Sequence, residues 1–182
     1  MTDTSLDIAQ ATLLAPTGMS TQDLERALGV LMAPGVDSAD LYFQAMRHEG
    51  WSLEDGIVKQ GSYSIDQGVG VRAIAGDKTG FAYSDEIVLS SLLRASEAAA
   101  AIARSGNQSG LQRWKVTTAN QLYPGIDPLV SAADEQKVSL LQQADARARA
   151  LDPRVQQVMA SLSAAYEVIL VCSSDGTFAA DI

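Results

Sequence analysis

Residues 40–84 read DLYFQAMRHEGWSLEDGIVKQGSYSIDQGVGVRAIAGDKTGFAYS, and the period of two running through them decides the fold class. Leu41, Phe43 and Ala45 alternate with Tyr42, Gln44 and Met46. The segment continues through Trp51 and Leu53 to Asp55-Gly56, a dipeptide suited to a tight hairpin turn. Residues 40–65 therefore read as one hairpin. Beyond it, Val69, Val71, Ala73 and Ala75 share one face, and after Asp77-Lys78-Thr79 the strand FAYS returns as the far arm of a second hairpin. Connections this short leave no room for a crossover, so 40–83 is expected to be a four-strand antiparallel meander.

Outward toward the N-terminus, residues 1–35 form a helical lead. Ser20 and Asp23 are placed as a capping box, and Leu24, Ala27, Leu28 and Leu31 then repeat at helical spacing until Pro34-Gly35. A shorter helix is expected around Ser5 to Leu14. Outward in the other direction, residues 85–152 hold two helices. Ser84-Asp85 can cap the first, which carries Val88, Leu92, Ala95, Ala99 and Ile102 on one face and stops at Gly106. Ser131 and Asp134 open the second as another capping box, with Leu141, Ala144, Ala148 and Leu151 as its stripe before Pro153. The segment between them, 105–130, is rich in Gly, Ser, Asn and Pro, with a short strand expected near Trp114 to Thr118. Loops of that length are functional, ordered by a partner, or mobile.

Residues 154–182 return to strand. Val158, Ala160 and Leu162 alternate, and YEVILVC is apolar on both faces, as a strand in the middle of a covered sheet would be. Asp175-Gly176 then turns the chain into TFAADI, a returning strand with no cap, which reads as the front part of a longer protein cut at Ile182. The fold class is thus α/β of the α+β kind: a largely antiparallel sheet of about six strands with helices packed on it.

Composition narrows the chemistry. The chain has 182 residues, 47% of them hydrophobic, enough to bury a sizeable core. Thirteen basic residues against 22 acidic ones give a net charge of −9, the wrong sign for attraction to nucleic acid or anionic lipid. No apolar run reaches the roughly 20 residues of a membrane helix, and the first residues lack the basic flank of a signal peptide, so a cytoplasmic location is expected. Cys172 is the only cysteine and His48 the only histidine, which leaves no zinc cluster, disulfide or Ser-His repertoire beyond one imidazole.

Several short motifs are decoys. Gly68, Gly70 and Ala73 fit a loose dinucleotide pattern, but that fingerprint needs a strand, a tight turn and a helix N-terminus, whereas these glycines sit inside a strand. Glycines there mark a bulge or the close passage of another backbone. Ala75 to Thr79 resembles the tail of a phosphate loop but lacks its glycines and is a turn. His48-Glu49 has no second histidine one turn later, since Ser52 stands there. Cys172 reads as a small buried hydrophobe. Glu49, Glu54, Asp55 and Asp66 read as a solvated face. The expected catalytic, cofactor-binding and metal-ligating residues in this chain are therefore none.

Three segments taken together carry a resemblance: residues 39–87, YPGIDPL at 123–129, and RVQQVMASLSAAYEVILVCSSDGTFAAD at 154–181. They resemble, in order, the N-terminal region of the TldD/PmbA family of metallopeptidases, once called modulators of DNA gyrase. The Asp66 to Arg72 and Gly80 to Tyr83 segments point to the metal-bearing TldD side. The resemblance implies that 1–182 is an N-terminal domain, with the catalytic C-terminal domain lying outside this sequence. It places zinc there, on an H-E-x-x-x-H helix with a cysteine ligand, and Cys172 does not match that cysteine. It further implies a heterodimer with a TldE/PmbA-type paralogue, unfolded or flexible peptides as substrates, and no activity in these residues alone. The other reading is a non-catalytic interaction module of the PmbA/TldE type.

Overall fold

The computed structural model describes residues 4–103, 114–117 and 125–182. Among the described residues there are four α-helices: α1 Thr4–Ala9, α2 Thr21–Leu31, α3 Leu89–Ala103 and α4 Asp134–Leu151. Six strands, β1 Ser38–Glu54, β2 Ile57–Ala75, β3 Lys78–Ser84, β4 Lys115–Val116, β5 Met159–Ser173 and β6 Thr177–Asp181, form one sheet in the order β3-β2-β1-β5-β6-β4. The expected α/β class is thereby found. The sheet is mixed, because the short β4 runs parallel to β6 while β3 and β5 run antiparallel to their partners β2 and β6.

Turn chemistry explains the hairpins. Asp55 and Gly56 both have positive φ, 49° and 77°, the pair of left-handed residues that a two-residue hairpin loop of matching twist requires. Gly76-Asp77 joins β2 to β3, with Gly76 at φ 56° and Ala75 opposite Lys78. No turn interrupts the chain between them. The meander over 40–83 is three strands, not four, because Ile65-Asp66 continues in extended form and β2 runs 19 residues.

By contact density the chain forms two compact units: Met1–Ala45, Asp66–Pro124 and Glu167–Ile182 make one, Met46–Ile65 and Gly125–Tyr166 the other. β1, β2 and β5 each contribute residues to both units.

In the first unit Leu41 and Phe43 of β1, Val69, Val71, Ala73 and Ala75 of β2, and Val168, Leu170 and Cys172 of β5 are buried together with Leu24, Ala27, Leu28 and Leu31 of α2. The Ser20 N–H donates to Asp23 Oδ2 at 2.9 Å, so the expected capping box opens α2. The helical lead from Thr4 continues past α1 as wide π-type turns over Gln10–Leu14 and a tight turn at Ala15–Thr17. On α3 the buried face is Ser91, Leu92, Ala95, Ser96, Ala99, Ala100 and Ala103, while Ile102 is exposed, contrary to expectation. The small residues have a cause: the backbone of α3 lies almost against Gly80 of β3, where a Cβ would fall 1.9 Å from the Ala99 carbonyl oxygen. Trp114 stacks on Phe178 at 5.0 Å and donates to the Ser173 carbonyl, fixing the chain beside β6. The proposed stop at Gly106 lies outside the described residues, as does most of 105–130.

β5 sits between β1 and β6, the central place expected for YEVILVC. Only one of its faces is closed, however: Val168, Leu170 and Cys172 are buried, and Ile169 and Val171 are half-buried.

Candidate functional site

The second unit holds a cleft of about 440 Å³, and charged residues build its floor. Arg47, Glu49 and Trp51 of β1, Gly61, Ser62 and Tyr63 of β2, Leu129 and Val130, and Asp134 and Lys137 of α4 line it. Glu49 and Lys137 are 8% and 5% exposed. The Lys137 ammonium donates to Glu49 Oε2 at 2.8 Å and to the Leu129 carbonyl at 2.9 Å, and lies 3.4 Å from Asp134 Oδ1. The Trp51 indole N–H donates to the other Glu49 oxygen. The ammonium and both carboxylate oxygens thus each have a partner, the condition under which a buried ion pair is tolerated.

The rim carries a second cation. The Arg47 guanidinium pairs with Asp127 and lies 5.0 Å from the centre of the Tyr166 ring, a cation–π geometry. Asp127 also accepts the Leu129 N–H at 3.0 Å, so the turn ahead of α4 is closed on itself and tied to β1 through Arg47. Further along, Arg149 joins Asp145, one turn before it on α4, to Asp55 at the hairpin tip. Asp55 Oδ1 accepts the Val158 N–H at 2.9 Å.

These contacts correct two expectations. Glu49 is not on a solvated face, being buried against Lys137 of α4, whereas Asp55 stays exposed while it pairs with Arg149 and holds the start of the β5 segment. The face α4 buries is Lys137, Leu141 and Asp145, whereas Ala144 is exposed and Leu151 is 73% exposed. The opening of α4 also differs. Ala133 is the cap, with its N–H donating to the Gln136 side chain at 2.9 Å, while the Ser131 hydroxyl donates back to the Pro128 carbonyl. Lys137, Leu141 and Asp145 stand four residues apart, a row one turn apart that a search for apolar periodicity passes over. Two of the three are charged, and charged side chains sit inside only when paired.

Hydrogen bonds from Lys137 and then Trp51 hold the Glu49 carboxyl below the usual carboxylate range, and the bond to Glu49 raises the Lys137 ammonium. The depressed Glu49 contributes stability above its unfolded value that is lost as pH falls through its folded value. The raised Lys137 contributes stability below its unfolded value that is lost as pH rises through its folded value. Unfolding midpoints measured from pH 7 down to 2 should fall more steeply for the native chain than for Glu49→Gln. Parallel profiles would show that the pair adds no pH-dependent stability.

The other sequence candidates stay apart from the cleft. His48 is exposed on β1. Cys172 is fully buried in β5, and burial pushes its thiol well up. Gly68 and Gly70 lie inside β2 with no helix following: a Cβ on Gly68 would fall 2.8 Å from the Ser84 carbonyl oxygen, and the Phe81 ring covers Gly70. That is the close backbone passage expected of strand glycines.

A mixed sheet with helices on an antiparallel meander defines an α/β domain of a kind seen in solved proteins described as modulators of DNA gyrase. The one from Bacteroides thetaiotaomicron matches over 88% of this chain and 38% of its own, with a TM-score of 0.66 and 14% identity. TldE from Thermococcus kodakarensis matches over 87% of this chain and 37% of its own, with a TM-score of 0.57 and 18% identity. Sequence carries the assignment further. Residues 39–103 match the model of PmbA/TldA metallopeptidase domain 1 and residues 127–182 that of the PmbA/TldA metallopeptidase central domain. The metalloprotease TldD homolog of Haemophilus influenzae is 48% identical over 94% of this chain and 36% of its own length. That of Buchnera aphidicola (subsp. Acyrthosiphon pisum) is 40% identical over 98% of this chain and 37% of its own. The chain belongs to the PmbA/TldD metallopeptidase family, and it spans somewhat over a third of the length of these curated relatives.

A metallopeptidase family implies a metal. Among the described residues no three His, Cys, Asp or Glu side chains come together to hold one. The lone imidazole is on an exposed strand, the thiol is inside the sheet, and the carboxylates of the cleft are taken up by Lys137, Arg47 and Trp51. These residues do not fit the group, and no catalytic step is drawn through a metal here. No helix among the described residues is long and apolar enough to cross a membrane.

Proposed function

We propose that this chain is the non-catalytic N-terminal part of a TldD-type zinc metallopeptidase acting on unfolded or flexible peptides in the cytoplasm. The zinc ligands then belong to a further domain of the whole protein. In this reading residues 1–182 wall the path by which a peptide reaches the metal and help seat a TldE/PmbA-type partner. The observation that carries it is the 48% identity to a metalloprotease TldD homolog, sustained through nearly all of this chain. The cleft between β1, β2 and α4 gives the reading a surface, since its rigid ion-paired floor and aromatic walls would keep their shape as peptides of varied sequence pass.

The test compares this 182-residue chain with the same gene product extended to its natural end, for zinc content and for hydrolysis of casein or an unfolded peptide. Zinc and hydrolysis are expected only in the extended protein. Hydrolysis by the short chain would overturn the reading, and extended protein lacking both would favour a non-catalytic interaction module of the PmbA/TldE type.

A further inference from the structure

The charges that line the cleft of the second unit are spent on one another. Two cations and two anions line it, and each is already in an ion pair: Lys137 with Glu49 and Asp134, Arg47 with Asp127. What the cleft leaves open is apolar. Val130 is 74% exposed and Tyr63 57%, and the half-buried Trp51 ring belongs to the same wall. Gly61 sets no side chain over that ring, from which a Cβ would stand 3.2 Å away. A charged group entering here finds no unmatched counter-charge to offset its lost hydration, whereas an apolar one covers exposed aromatic and aliphatic surface.

The same stretch of β2 offers a backbone. β2 pairs with β3 only over Val69–Ala75, and β3 is its neighbour on the side away from β1. Gly61 to Ile65 therefore have no strand on that side among the described residues, and all five are exposed. None of them is charged and none is proline, the residues that blunt a sheet edge. An extended peptide laid on this edge is held by main-chain hydrogen bonds whatever its sequence. Its alternate side chains fall on the face of the sheet where Gly61 and Tyr63 line the cleft. Backbone capture and the apolar wall thus meet at the same residues.

We infer that this cleft is a side-chain subsite that takes one large uncharged apolar residue of an unfolded peptide, leucine or phenylalanine, while the peptide backbone pairs with the Gly61–Ile65 edge. The inference rests on the peptidase reading for the peptide nature of its ligand, and adds the class of residue that the chain selects.

The probes are blocked peptides Ac-Gly-Ala-Xaa-Ala-Gly-NH2 in which Xaa is Phe, Leu, Ala, Asp or Lys. Calorimetry measures their affinity for the 182-residue chain and, with metal chelated, for the same gene product extended to its natural end. The Phe and Leu peptides should bind roughly tenfold or more tighter than the Ala peptide, and the Asp and Lys peptides no tighter than Ala. Tyr63→Ala should remove most of that preference and Tyr63→Phe, which keeps the ring, should retain it. Leu140→Ala, at an exposed side chain of α4 that does not line the cleft, should change nothing. Thermal melts confirm that the variants fold. N-methylation of the peptide bonds flanking Xaa should abolish binding, since it removes the donors that pair with the edge. Equal affinity across the series, tighter binding of Asp or Lys, or indifference to Tyr63→Ala overturns the subsite, and indifference to N-methylation overturns the pairing with β2. An extended protein that hydrolyses casein without this preference overturns the subsite and leaves the peptidase reading standing. The preference in an extended protein without zinc or hydrolysis upholds the subsite and overturns only that reading.

Discussion

Gly80→Ala is expected to destabilise the chain by about 3 kcal/mol, lowering its melting temperature by roughly 10 °C. The cause is local and steric. A Cβ at Gly80 would fall 1.9 Å from the Ala99 carbonyl oxygen and 2.9 Å from its carbonyl carbon, and both belong to helix backbone that cannot swing aside as a side chain would. α3 must move off the sheet, opening the contact in which Ala95, Ala99 and Ala103 are buried. The same substitution at Gly29 should do the reverse. Gly29 is an exposed interior position of α2 with nothing within 4 Å of a new Cβ, so alanine there stabilises by about 0.5–1 kcal/mol through lower chain entropy in the unfolded state. Thermal melts of the two variants side by side decide it. Equal shifts would show that glycine propensity, and not the helix–strand approach, governs position 80.

That contrast marks what the residue pattern could and could not reveal. The turns at Asp55-Gly56 and Asp175-Gly176, the buried row Val69, Val71, Ala73 and Ala75, and the central place of β5 were all legible, because turn chemistry and a period of two act locally. The close approach at Gly80 was not, since a glycine in a strand pattern looks the same whether or not a helix lies on it. The continuity of β2 was missed for a related reason: Ile65-Asp66-Gln67-Gly68 borders a change in composition without containing a turn. The cleft floor was hidden most deeply. Its residues come from β1 and α4, 88 positions apart for Glu49 and Lys137, and the charges that define it are those a pattern reading assigns to solvent.

Lys137→Met is expected to lower the melting temperature by several degrees, more than Lys78→Met at the exposed start of β3, and adding Glu49→Gln should restore much of the loss. The asymmetry follows from what each change leaves behind. Removing the ammonium leaves a carboxylate 8% exposed with only the Trp51 N–H as partner, and leaves the Leu129 carbonyl without its donor. Such an uncompensated buried charge is what makes breaking one half of an ion pair costly, whereas removing both charges can be close to neutral. Glu49→Gln alone should fall between, because the amide oxygen can still accept from Lys137 while the amide NH2, a donor, is left facing the Trp51 N–H. The double-variant cycle separates this from simple loss of packing, in which the two changes would add. Additive losses would mean that the floor is held by contact area alone, and that Glu49 and Lys137 could be exchanged for apolar residues without altering the cleft.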